Sequence, residues 1–137
     1  MYMDCIFCKI ANGEIPSASI YEDKDFNVIL DLGPATRGHA LILPKKHYAD
    51  LFELPQEEAE KAIVLAKKLL PAMKKGLDCD GIQLVQNNGE AAGQTVFHYH
   101  LHMIPAYKKD GPGAKWNPGT LSDDDKESIP KAIKSEL

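Results

Sequence analysis

The chain has 137 residues, 44% apolar and 26% charged, with a net charge of −4. That composition suits a soluble globular protein, and one domain over residues 1–137 is expected, long enough to bury about two thirds of its unfolded surface without disulfides. The acidic balance argues against nucleic-acid binding, which needs phosphate neutralisation by Lys and Arg. No apolar run approaches a membrane span, and residues 1–9 lack a basic leader, so a cytoplasmic protein without a membrane partner is expected.

Residues 4–12 have the composition of a short helix, ended by the turn-forming Asn12-Gly13-Glu14-Ile15-Pro16. They carry Cys5 and Cys8 as a Cys-x-x-Cys, while Cys79 stands alone. In a reducing compartment such a pair points to metal or redox chemistry more than to a disulfide; two reduced cysteines without metal are the alternative. Alternation predicts strands over 19–22 and 27–31, a hairpin around Asp23-Lys24-Asp25. Leu32-Gly33-Pro34 breaks the chain, and beside it Asp31 alone reads as a turn residue. A third strand covers 39–43, between Gly38 and Pro44, and His47 falls in the loop beyond.

Residues 56–75 form a helical pattern, with Ala59, Ala62, Ile63, Ala66, Leu69, Leu70 and Met73 on one stripe. Pro71 predicts a kink or early fraying, and Gly76 a stop. A fourth strand is expected over 81–87, then a loop to Gly93. In Phe97-His98-Tyr99-His100-Leu101-His102-Met103-Ile104, three of the chain's five histidines alternate with apolar residues. Side chains alternate across a strand, so this stretch predicts a strand ending at Pro105 with His98, His100 and His102 on one face. Residues 110–113 are irregular, and 122–137 suggest a helix with Asp123, Asp124 and Asp125 at its N-terminus and Pro130 limiting its regularity. Five strands and one main helix, with short flanking helices, give an α+β antiparallel domain.

Imidazole titrates near neutrality, binds metals through either ring nitrogen, and serves as acid, base or nucleophile. The ladder alone leaves three readings open: a catalytic metal face, a nucleophile with its helpers, or three hydrogen-bonded imidazoles on a sheet.

His98-Tyr99-His100-Leu101-His102-Met103-Ile104 resembles the signature of the histidine triad proteins. The resemblance extends through Cys5-Ile6-Phe7-Cys8-Lys9-Ile10, Gly13-Glu14-Ile15-Pro16, Gly38-His39-Ala40-Leu41-Ile42-Leu43-Pro44-Lys45-Lys46-His47 and Gly93-Gln94-Thr95-Val96, and covers most of 1–105. Residues 106–137 diverge from it. Overall the chain is most similar to the Hint-like branch of nucleotide hydrolases and transferases, with its zinc-bearing bacterial type.

The resemblance implies a five-stranded antiparallel sheet, a purine nucleotide substrate and a homodimer, although the residues themselves do not distinguish purine from pyrimidine. It implies His100 as the nucleophile that forms a nucleotidyl-histidine, His102 as the residue contacting the phosphate or leaving group, and His39 as their support. It places Asp31 and Asn87 near the sugar and phosphate, and builds a base pocket from Ile6, Phe7, Ile10, Ile29 and Leu32. Gly93, Gln94 and Thr95 would approach the phosphate, with backbone N–H groups and the Thr95 hydroxyl as donors. Zinc-bearing relatives imply Cys5, Cys8, His47 and His98 as a closed structural zinc site. Cleavage of a nucleoside 5′-phosphoramidate is the expected reaction. The rivals are a dinucleoside polyphosphate hydrolase, a nucleotide-binding interaction protein with vestigial hydrolysis, and a hydrolase with metal on the ladder itself.

Overall fold

A computed structural model describes residues 4–113 and 116–137. In chain order the elements are α1 (Ile6–Ala11), β1 (Ser19–Glu22), β2 (Phe26–Leu30), β3 (Ala40–Pro44), α2 (Gln56–Leu77), β4 (Gly81–Val85), β5 (Leu101–Ala106) and α3 (Asp123–Lys134). Single 3-10 turns occupy Glu90–Ala92 and Lys108–Asp110. The strands form one sheet in the order β1-β2-β3-β5-β4, every neighbouring pair antiparallel. This is the expected α+β class.

The central strands are buried on both faces, and their side chains sort with a period of two. Phe26, Val28, Leu30, Ala40, Ile42, Leu101 and Met103 join Leu65, Leu69 and Met73 of α2 and Ile129 and Ile133 of α3 in the main core. Ile29, Leu41 and Leu43 point the other way, where Ile10 and Ala11 of α1 cover them. Each Val, Leu, Ile, Phe or Met among them, fully buried, contributes about 1.5–3 kcal/mol. His102 pairs with Leu41 across β3 and β5, which puts its ring on the α1 face. Asn27, buried on that face, donates from Nδ2 to the Ile10 carbonyl at 3.3 Å and ties the end of α1 to the sheet.

The histidine stretch is not one strand. β5 begins at Leu101, and β3 meets it only over Ala40–Ile42. Pro44 accounts for this: it has no N–H to extend the ladder, and its carbonyl accepts a hydrogen bond from His98 Nε2 at 2.8 Å. Tyr99 N–H bonds instead to the Tyr48 carbonyl at 2.6 Å. His98 and His100 therefore sit on an irregular approach to the strand.

Pro71 does not end the helix, and Gly76 acts differently from expectation. α2 continues through both to Leu77 and ends at Asp78, whose φ of 52° is left-handed. Gly76 serves close packing, since a Cβ there would lie 2.7 Å from the Ala132 carbonyl oxygen of α3. Ser122 caps α3 by accepting the Asp125 N–H at 3.1 Å, and the helix holds Pro130 in its interior. No helix among the described residues is long and apolar enough to cross a membrane.

Candidate active site and metal cluster

A cavity of about 270 Å³ opens between α1 and the sheet. Ile6, Phe7 and Ile10 form one wall, Ile29, Asp31 and Leu32 a second, and Thr95, Val96, His100 and His102 the floor. Larger hollows of about 380 and 460 Å³ lie beside Tyr107 and beside Thr36, and neither is lined by histidine or cysteine. The chemistry-bearing hollow is the smaller, mostly apolar one.

Hydrogen-bond partners assign the tautomers. His100 Nδ1 lies 2.8 Å from the His98 carbonyl, which can only accept, so Nδ1 holds the proton and Nε2 keeps its lone pair. His39 Nδ1 accepts the Ala35 N–H at 3.0 Å, so the His39 proton sits on Nε2. That N–H donates to His102 Nδ1 at 2.9 Å, and the proton of His102 is left on Nε2. The His100 and His102 rings stand edge to face with centroids 4.8 Å apart. Two imidazoles of opposite polarity, one with a lone pair and one with an N–H, thus stand side by side.

Burial keeps these rings neutral. It pushes His102 down to about 3, aided by the neighbouring His100 and His39, and lowers His100 and His39 against the opposing pull of the Asp31 carboxylate. Asp31 accepts the Gly33 N–H at 2.8 Å on one oxygen and places the other 3.6 Å from His39 Nε2.

Cys5, Cys8, His47 and His98 converge behind the wall formed by α1, their ligand atoms all within 4.8 Å of one another. Cys5 is the N-cap of α1, its sulfur accepting the Cys8 N–H at 3.3 Å. Cys8 Sγ lies 3.2 Å from His47 Nδ1 and 3.3 Å from His98 Nδ1, and Cys5 Sγ 3.5 Å from His98 Nδ1. Tetrahedral zinc with these ligand types has N···S edges of about 3.6 Å. Donation of His98 Nε2–H to Pro44 turns the Nδ1 lone pair toward the sulfurs, as a ligand requires. Burial and the adjacent Cys5 push the Cys8 thiol up to about 12, and a divalent cation would reverse that by holding the thiolate. The donor set fits zinc. Asp31, His39 and His102 are also close enough to hold an ion, but the proton on His39 Nε2 points into that cluster, which works as a hydrogen-bond chain.

The structure therefore divides the triad. His98 faces the sulfurs while His100 and His102 face the cavity, so the three rings do not converge on one ion. Gln94 is a clamp: its amide donates to the Ala49 and Val96 carbonyls at 2.6 and 3.0 Å and accepts the Gly89 N–H at 2.8 Å. The backbone N–H groups of Gly93 and Gln94 close the preceding turn on Glu90 and Gly89. Gly93 has a left-handed φ of 95° and neighbours Asn87, whose Nδ2 would lie 3.7 Å from a Cβ at position 93. Sequence reasoning missed Leu30, Leu41 and Val96 in the cavity wall, and Trp116, whose ring meets His102 and His39 edge on at 5.3 and 6.0 Å. Strand alternation was the available signal for Leu41, and nothing local marked Trp116.

The HIT domain family model matches residues 12–109. An uncharacterised HIT-like protein of Methanocaldococcus jannaschii is 45% identical over 130 residues, 95% of this chain and 98% of that protein. The adenosine 5′-monophosphoramidase of Saccharomyces cerevisiae is 46% identical over 101 residues, 74% of this chain and 61% of the yeast protein. The crystal structure of a zinc-bound histidine triad family protein from Mycobacterium smegmatis superposes with a TM-score of 0.85 at 35% identity, covering 98% of this chain and 96% of that one.

Proposed function

This chain belongs to the HIT domain family, and we propose that it cleaves nucleoside 5′-phosphoramidates or related nucleotidyl phosphates through a covalent nucleotidyl-His100 intermediate. The observation that carries the reading is the pair of opposed tautomers: the His100 Nε2 lone pair and the His102 Nε2–H side by side at one cavity. His100 Nε2 attacks phosphorus as the P–N bond breaks, and the departing nitrogen, taking up one proton from solvent by way of His102, leaves as an amine. Water then attacks the nucleotidyl-histidine, releasing the nucleoside monophosphate and restoring the His100 lone pair.

His102 Nε2–H points a hydrogen bond at the phosphoryl or leaving atom, and His39 holds it in that tautomer. Since the free pocket keeps His102 neutral, any proton it passes on is acquired after the anionic substrate arrives, because an adjacent negative charge favours imidazolium. Ile6, Phe7, Ile10, Ile29 and Leu32 would enclose a purine, and Asp31 would accept ribose hydroxyls. Thr95 is the phosphate donor we favour; Gly93, Gln94 and Asn87 shape the loop beneath it. Cys5, Cys8, His47 and His98 would hold zinc as a closed, structural cross-link.

We read the chain as one cytoplasmic domain, with α3 packed on α2 and β1, and as a homodimer. The position of β4 is compatible with the dimer: it ends the sheet, where a second copy could extend it. Initial-rate comparison of adenosine 5′-phosphoramidate with diadenosine tetraphosphate tests the activity. Preference for the phosphoramidate is expected; preference for the tetraphosphate favours the polyphosphate hydrolase, and turnover of neither the vestigial binding protein.

A further inference from the structure

We infer that α1 is a latch shared by two sites, so that metal occupancy at Cys5, Cys8, His47 and His98 sets how tightly the cavity holds a nucleotide. The inference rests on the nucleotide reading above and gives the metal cluster a positioning role beyond cross-linking the chain.

Four observations carry it. α1 has only six residues, too few to persist as a helix without external support. Metal-facing and cavity-facing side chains interleave along it: Cys5 and Cys8 meet the imidazoles of His47 and His98, while Ile6, Phe7 and Ile10 line the cavity. At about 1.5 Å rise per residue, neither set can shift without carrying the other. The Phe7 ring stands edge on to both His98 and His100, with centroids 6.2 and 4.9 Å away.

His98 is the second link. Its Nδ1 belongs to the metal cluster, while its own carbonyl accepts the His100 Nδ1–H at 2.8 Å. An ion that fixes the His98 ring also fixes the backbone that orients His100. His98 is thus a positioning residue for the candidate nucleophile.

Coupling between two sites is reciprocal and of the order of 5–150-fold in affinity. The full chain is loaded with zinc, or stripped by a chelator under reducing conditions with its fold followed by circular dichroism, and AMP affinity is measured by calorimetry. Zinc-loaded protein is expected to bind AMP at least about fivefold more tightly. Saturating AMP should tighten zinc by the same factor in chelator competition on the folded, loaded protein. With cobalt in place of zinc, AMP should shift the thiolate-to-metal absorption band, a readout that a remote cross-link would not give. Equal AMP affinity with and without metal, or a cobalt band unmoved by saturating AMP, overturns the latch while leaving the nucleotide reading intact. Failure of AMP to bind either form removes both.

Discussion

His39 Nε2 and His102 Nδ1 meet at 2.9 Å, and the Ala35 N–H on the far side of His39 fixes the direction of that bond. A backbone amide outside the cavity thus decides which nitrogen of His102 presents a proton inside it. His39 and His102 consequently have separable effects.

Replacing His102 with Ala removes the donor and should lower kcat about 10²-fold or more, the lower range for a positioned acid or hydrogen-bond donor. His39→Ala leaves the donor but frees its tautomer, so a smaller loss in kcat is expected with little change in KM. His39→Gln should recover part of that loss, because an amide N–H can replace the Nε2–H. Steady-state kinetics of the three variants test the order; a His39→Ala enzyme more impaired than His102→Ala contradicts it.

Acid should destabilise the fold through these rings. An imidazole whose folded value lies below 6.5 binds fewer protons folded than unfolded, so its contribution is complete above about 6.5 and is lost as pH falls toward the folded value. For His102 that window runs from 6.5 down to about 3. Urea midpoints should therefore fall between pH 7.5 and 5, and His102→Asn should flatten the dependence. For kcat/KM, the acid limb should lie below pH 6.5, since burial lowers His100 as well.

About one zinc per chain is expected by metal analysis, the stoichiometry of a single four-ligand site. Cys5→Ser or His47→Ala should release it and lower the thermal midpoint, whereas His100→Ala should retain it. Zinc content unchanged by both ligand substitutions would refute the ligand set.

Gly76→Ala sets two effects against each other. Alanine gains about 0.8–1.0 kcal/mol of helix propensity over glycine. Its Cβ meets the Ala132 carbonyl at 2.7 Å, and overpacking against groups that cannot move aside costs about 1–3 kcal/mol. A net loss in chemical denaturation is expected; a more stable variant would show that α2 and α3 separate easily.

These cases show what local pattern carries. Alternation in 97–104 picked out three imidazoles in one short segment, of which the fold turns His98 to the sulfurs and His100 and His102 to the cavity. It could not show that Pro44 stops the ladder at Leu101, which depends on a strand more than 50 residues away in sequence. Gly76 read as a helix stop because only the packed α3 reveals why a side chain is forbidden there. Gln94 read as phosphate-binding because one of its two carbonyl partners, Ala49, arrives through tertiary folding from 45 residues away in sequence. Trp116 meets His102 through a tertiary contact that no periodicity encodes.

The most direct test of the central claim is chemical trapping of the intermediate. Acid-quenched or rapidly denatured reactions with adenosine 5′-phosphoramidate, digested and read by mass spectrometry, should show an adenylyl group on the peptide containing His100, localised to that ring. The adduct should form and decay at rates compatible with kcat and be missing from inactive His100→Ala. Full activity in His100→Ala, or an adduct confined to another residue, would contradict the account.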